Sequence, residues 1–265
     1  MTASDNPWRA LPLFLALTFA LSWYPWALYA LGYSGNPNPN PLGVLLAALI
    51  ASSVDRGWRG AASILRSIVR VRVAPFYWLA AVGIPLLALA TTLAIATTRG
   101  VPVAATAPNW SELLDRFIIM LLFVGLGEES GWRGFLQPVL QRRLSPLAAT
   151  FCVGVIWAAW HTPLMGGELS WDRVPAFLIS VFAAAVVLAW LYNATQSVLL
   201  PIIMHATVNT AGWGYVFNWI LPNDQQEFWW IYTAVWAAMA LSIITLTVGR
   251  LGASADAEEE QVTAA

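Results

Sequence analysis

The sequence predicts an all-α fold, a polytopic membrane helix bundle of about eight transmembrane helices with both termini cytoplasmic. Three observations predict it. Of 265 residues, 59% are hydrophobic and 10% charged, where a soluble domain carries about 25% charged residues. The charge is gathered in short clusters separated by apolar runs of about 20 residues, the length that crosses the hydrocarbon layer as a helix. Many of the 16 Trp stand at the ends of those runs, where amphipathic rings settle at headgroup level. The net charge of −1 gives no electrostatic case for nucleic-acid binding.

The runs place spans at 11–32, 42–54, 76–98, 110–137, 147–163, 175–192, 198–220 and 229–249. The first contains Trp23, Tyr24, Pro25 and Trp26 and is followed by more spans. It therefore reads as a retained helix, not as a cleaved signal, although Ala27-Leu28-Tyr29-Ala30 loosely resembles a small-residue cleavage site. Pro85, Pro138, Pro163 and Pro201 are expected to kink or end their helices. Asn109, with Glu112 three residues later, marks the start of the fourth span. Cys152 is the single cysteine; it has no intrachain disulfide partner and reads as a small buried residue.

Orientation follows from arginine in alternate connections. Nine fall on one side, namely Arg9, Arg56, Arg59, Arg66, Arg70, Arg72, Arg142, Arg143 and Arg250; three fall on the other, Arg99, Arg116 and Arg173. The richer side is expected to face the cytoplasm, in the cytoplasmic membrane. About residues 56–72 an amphipathic helix is expected on the inner membrane surface. Trp58, Ala62, Leu65 and Val69 fall on one face, and Arg59, Arg66 and Arg70 meet anionic lipid headgroups from another. Residues 1–250 form a single transmembrane domain. Residues 251–265, with Asp256 and Glu258 to Glu260, form an acidic cytoplasmic tail, expected to be disordered.

Against this background several polar residues stand out, because an ionisable side chain mid-span costs about 2.5–3.5 kcal/mol on insertion scales. The fourth span carries Glu128, Glu129 and Arg133, the fifth Trp157 and His161, the seventh His205 and Asn209. Glu129 and Arg133 are four apart and can pair; Glu128 sits about 100° round the helix and points elsewhere. Gly131 and Gly134 let another helix approach. Each group has an ordinary reading: an ion pair, a core histidine, an amide between helices. Asn193 and Gln196 read as turn and interface residues. Taken together, two carboxylates, a guanidinium, two imidazoles and an amide on three helices exceed what packing requires.

Amide hydrolysis needs an activated water and a stabilised oxyanion. Glu128 can hold and deprotonate the water with His161 fixing it, His205 and Asn209 can donate to the oxyanion, and Arg133 can hold Glu129. A competing account uses zinc, with Glu128, His161 and His205 as three ligands. There is no His-Glu-x-x-His helix, and the histidines are 44 residues apart, so spacing leaves the metal question open. Metal-free chemistry is the first choice. At ~1.5 Å per residue, His161 lies ~20 Å along its helix from Leu147 and His205 ~10 Å from Val198. Meeting at one depth then requires tilt or an earlier start to the fifth span.

At these residues the chain resembles the CPBP family of intramembrane proteases, the CAAX-protease and bacteriocin-processing group, also called Abi. The motifs read Glu128-Glu129-Ser-Gly-Trp-Arg133, Trp157-Ala-Ala-Trp-His161 and His205-Ala-Thr-Val-Asn209, in order, on separate spans. The resemblance implies an eight-helix fold around a cavity open to the cytoplasmic side. It implies water activation by Glu128 and His161 and an oxyanion hole of His205 and Asn209. Glu129, Arg133 and Trp157 have supporting roles, Trp157 standing where the family often has Phe. The family has been described both as metallo- and as glutamate-dependent proteases. The function expected is an intramembrane endopeptidase acting on a membrane-associated peptide or protein, lipidated or bacteriocin-like, reached from the cytoplasmic side. The alternatives are a catalytically silent immunity or scaffold protein and a transporter with a buried ionisable site.

Overall fold

The computed structural model describes residues 7–104, 106 and 109–253, among which nine principal helices are joined by short connections and extended pairing is limited to two isolated bridges. Helix α1 is Leu11–Ala30, α2 is Leu42–Arg56, α3 is Trp58–Ile68 and α4 is Pro75–Thr98. Helix α5 runs over 110–140 without a break in the chain's helical course. Helix α6 is Pro146–Trp160 and α7 is Val174–Thr195. Helix α8 covers 199–213, and α9 is Gln225–Leu246. Each expected span thus overlaps a helix, in whole or in part. Five segments are long and apolar enough to cross a membrane: α1, α4, Pro146–Leu164, α7 and α9. The expected acidic residues of the tail, Asp256 and Glu258 to Glu260, lie outside the described residues.

The local chemistry explains most boundaries. The Asn109 side chain accepts from the Glu112 backbone N–H and starts α5, as its position predicts. Ser145 caps α6 in the same way, accepting from Ala148. Pro85 lies inside α4 and does not end it. The seventh span is shorter than expected. The helix stops at Trp213, short of residue 220, and a short 3-10 turn, Val216–Trp219, follows. Two glycines close together weaken the helix there, and the Arg116 stem crosses Gly214, where a Cβ would lie 2.5 Å from Arg116 Cδ. The surface helix is also shorter than 56–72. It ends at Ile68, and only Ala74 is shown extended, as Pro75 requires of the residue before it.

Burial is inverted relative to a soluble protein. On α4, Leu79, Leu86 and Leu87 are exposed while Ala80, Ala81 and Ala88 are buried. Glu128, Glu129, Arg133 and Gln137 are fully or almost fully buried. Small residues inside let helices approach closely, and large apolar ones outside suit a lipid environment. Cys152 is half-buried, not a core residue.

Two sets of connections lie at opposite ends of the bundle. At one end Ser197 Oγ donates to the Arg70 carbonyl at 2.8 Å, Val198 N–H donates to the Ser67 carbonyl at 3.0 Å, and Arg143 lies over the Trp8 ring. At the other, Asn38 donates to Glu168, Arg99 pairs with Glu227, and Arg173 donates to Gln225. The first set resolves the depth mismatch between the two histidines. Helix α6 starts at Pro146, one residue before expectation, so the boundary is not the cause. The turn into α8 is instead tucked beneath α3 and its connector. Ser197 and Val198 are fully buried, and α8 begins its climb from inside the protein.

Candidate active site

The middle of α5 is built unusually. A π-helical turn, Met120–Gly125, precedes a single α-helical stretch, Leu126–Gly131, and a second π turn, Trp132–Leu136, follows. Such turns concentrate at functional sites because they re-aim side chains without ending a helix. All five residues of 127–131 are buried. Gly127 and Gly131 form the seam against α2: a Cβ at Gly127 would sit 2.7 Å from the Pro41 carbonyl, and one at Gly131 would sit 2.9 Å from the Val44 oxygen. With α2 pressed against that seam, the glutamates turn into the bundle.

Glu129 and Arg133 pair as their four-residue spacing predicts. Arg133 Nη1 donates to both carboxylate oxygens, at 3.0 and 2.9 Å, and neither side chain has any exposure. His205 Nδ1 meets Glu129 Oε1 at 2.7 Å, so the pair on α5 holds the imidazole of α8. Glu128 faces elsewhere. Its Oε2 accepts from the Trp157 indole N–H at 2.6 Å and, more weakly, from Trp132 at 3.4 Å. The Trp157 ring lies 5.6 Å from His161 and 5.5 Å from His205, with the Arg133 guanidinium 5.0 Å over its face.

The end of α6 fixes His161 by its own backbone accounting. Pro163 has no N–H, so the helix cannot continue and its last carbonyls need other donors. The Thr162 hydroxyl donates to Ala159, His161 N–H to Ala158, and the Trp23 indole to Trp160. The Trp157 carbonyl is met by His161 Nδ1 at 2.7 Å. A carbonyl only accepts, so Nδ1 carries the proton and the Nε2 lone pair is free.

Glu128, Trp157, His161, His205 and Asn209 line one cavity of about 420 Å³, within the size range of small-ligand sites. Glu129 and Arg133 stand behind it and do not line it. Asn209 is half-buried at the start of the π turn of α8. Aromatic side chains, among them Phe177, Trp213, Phe217 and Trp229, form much of the remaining wall. Asn38, Pro39, Glu168, Arg116 and Gly214 belong to its rim. Among the described residues no three His, Cys, Asp or Glu side chains are grouped to hold a metal ion. His205 Nδ1 is already engaged by Glu129, and no step below passes through a metal.

Two features escaped the sequence reading. The tryptophan donors to Glu128 are one: Trp132 is four residues from Glu128, a spacing that could have revealed it. The other is the interhelical partner of Asn193, a residue read as belonging to a turn and interface. Asn193 is buried and accepts from Gln137 Nε2 at 2.9 Å, tying α7 to α5 one turn beyond Arg133.

Residues 110–211 match the family model described as type II CAAX prenyl endopeptidase Rce1-like. The matched segment runs from the start of α5 into the last turn of α8 and contains all three motifs. Over 102 residues the chain is 28% identical to CAAX prenyl protease 2 of Methanococcus maripaludis, covering 35% of this chain. The match spans about 38% of the length of that curated relative. The central segment is thus similar to Rce1-like CAAX prenyl endopeptidases, and the several membrane-length apolar helices around it make the chain a multi-pass membrane protein.

Proposed function

We propose that the cavity hydrolyses a peptide bond of a membrane-associated peptide or protein, with Glu128 and His161 activating the water. The observation that carries this reading is the shared cavity: a carboxylate and an imidazole with a free Nε2 face one space, beside an amide and a second imidazole. A water donating one O–H to Glu128 and the other to His161 Nε2 has its lone pairs left for a substrate carbonyl. Glu128 takes the water proton as the C–O bond forms. The carbonyl oxygen becomes an oxyanion beside Asn209 Nδ2–H and His205. When the C–N bond breaks, the proton held by Glu128 passes to the leaving nitrogen, and the products are a carboxylic acid and an amine.

His205 is part of the charge balance. Its Nδ1 is engaged by Glu129, so Nε2 donates to an oxyanion only when the ring is the imidazolium. Two carboxylates, one guanidinium and one imidazolium sum to zero, which is the state a buried cluster tolerates best. Glu129 and Arg133 accordingly support His205 and have no direct part in the chemistry, and metal-free hydrolysis remains the first choice. The eight helices α1, α2 and α4–α9 are read as crossing the membrane, with both termini cytoplasmic and α3 on the inner surface.

The test is cleavage of membrane peptides by the reconstituted protein and by correctly folded Glu128→Ala and His161→Ala variants. Product termini seen with wild type and lost with both variants are the expected result. Equal cleavage by the variants would refute the assignment and leave a catalytically silent immunity or scaffold role as the better reading.

A further inference from the structure

The resemblance implies a cavity open to the cytoplasm, but the rim and the arginine distribution together point the other way. The rim residues come from three connections: Asn38 and Pro39 between α1 and α2, Glu168 between α6 and α7, and Gly214 after α8. Arg116 adds the first turns of α5. These connections are bonded among themselves and to their neighbours at the same end of the bundle. Asn38 donates to Glu168 at 2.6 Å, Arg99 pairs with Glu227 at 2.6 Å, and residues 103 and 220 form a backbone bridge. No residue of the opposite connections, 57–74, 141–145 or 196–198, lines the cavity.

The two ends differ in charge. The end bearing the rim holds Arg99, Arg116 and Arg173, against nine arginines at the far end. Arginine-rich short connections stay in the cytoplasm during insertion. The far end also carries α3, with Arg59 and Arg66 exposed beside exposed Trp58 and Leu65, the arrangement of a helix lying on an anionic leaflet.

We propose that the cavity opens on the side away from the cytoplasm, and that its substrate is an exported or outer-leaflet peptide segment, not a cytosolic chain. The substrate half of this statement rests on the hydrolytic reading above; the sidedness does not. An apolar stretch suits the aromatic wall, and a polar backbone reaches Glu128 from the Asn38–Glu168 rim.

Sidedness is tested by thiol labelling of the full-length protein in a Cys152→Ala background. Single cysteines are placed at Asn36 or Glu168, at the rim end, and at Val71, at the far end. All three positions are exposed. An impermeant maleimide is applied to intact cells and to inverted membrane vesicles. The expected result is labelling of Asn36→Cys and Glu168→Cys from outside, with Val71→Cys labelled only in inverted vesicles. Any pattern in which Glu168→Cys is not labelled from outside overturns the proposal. Labelling does not depend on catalysis, so loss of the hydrolytic reading would leave this result standing, and the reverse. An impermeant peptide substrate cleaved by intact cells only when Glu128 is present tests the substrate half; cleavage confined to inverted vesicles overturns it.

Discussion

Removing the Arg133 guanidinium tests how much the cluster behind the cavity contributes. Arg133→Met deletes the contacts at 3.0 and 2.9 Å and leaves Glu129, which has no exposure, with His205 as its only close partner. Breaking a buried pair on one side costs about 3–5 kcal/mol, because the remaining charge is uncompensated. For a chain of this size each kcal/mol lowers Tm by about 2–4 °C, so Arg133→Met should lose ~6–20 °C, as should Glu129→Leu. The double variant removes both charges and should recover most of that loss. It should stay below wild type by about 1–3 kcal/mol, the cost of leaving the buried His205 Nδ1–H without an acceptor. The assay is thermal unfolding of the detergent-solubilised protein, with cleavage measured alongside. The double variant should fold and fail to cleave, since nothing orients His205. Single-variant losses under about 1 kcal/mol, the range of exposed pairs, would refute the view that this cluster is desolvated and mutually dependent.

Three further outcomes follow from the geometry. Asn209→Ala removes one oxyanion donor, and kcat should fall by about 10²–10³-fold with little change in KM; an unchanged kcat would remove Asn209 from the mechanism. Gly131→Ala forces a methyl group against the Val44 oxygen, 2.9 Å from the ideal position. It should cost about 1–3 kcal/mol as overpacking, read as a lower Tm, and a neutral result would show that α2 and α5 are not closely apposed. Dialysis against a chelator should leave cleavage unchanged, and elemental analysis of active protein should find no stoichiometric divalent metal. Loss of activity restored by zinc would reinstate the three-ligand account.

The helices were legible because lipid imposes a plain code. Apolar runs of membrane length gave α1, α4, α7 and α9 to within a few residues, and Asn109, Ser145 and Pro163 carry conventional start and stop signals. The polar residues were legible for the same reason: in an apolar chain, Glu128, His161 and His205 have no trivial explanation, and the four-residue spacings Trp157–His161 and His205–Asn209 survive as shared faces. What was not legible depends on packing between distant segments. The π turns flanking Glu128 leave no pattern in hydropathy. The end of α8 depends on the Arg116 stem crossing Gly214, a contact 98 positions apart in the chain. The common depth of His161 and His205 depends on Ser197 and Val198 being buried under α3, which no reading of helix lengths could supply. The proposed direction of the cavity mouth likewise rests on which connections line the cavity.

The central claim, water activated by Glu128, is tested most directly by isotope incorporation at the new chain end. The reconstituted protein is given a membrane peptide in H2(18)O, and product termini are read by mass spectrometry. Wild type should place one heavy oxygen in the new carboxyl group, and Glu128→Gln, folded with the same Tm, should yield no product. Undiminished labelled product from Glu128→Gln would contradict the account.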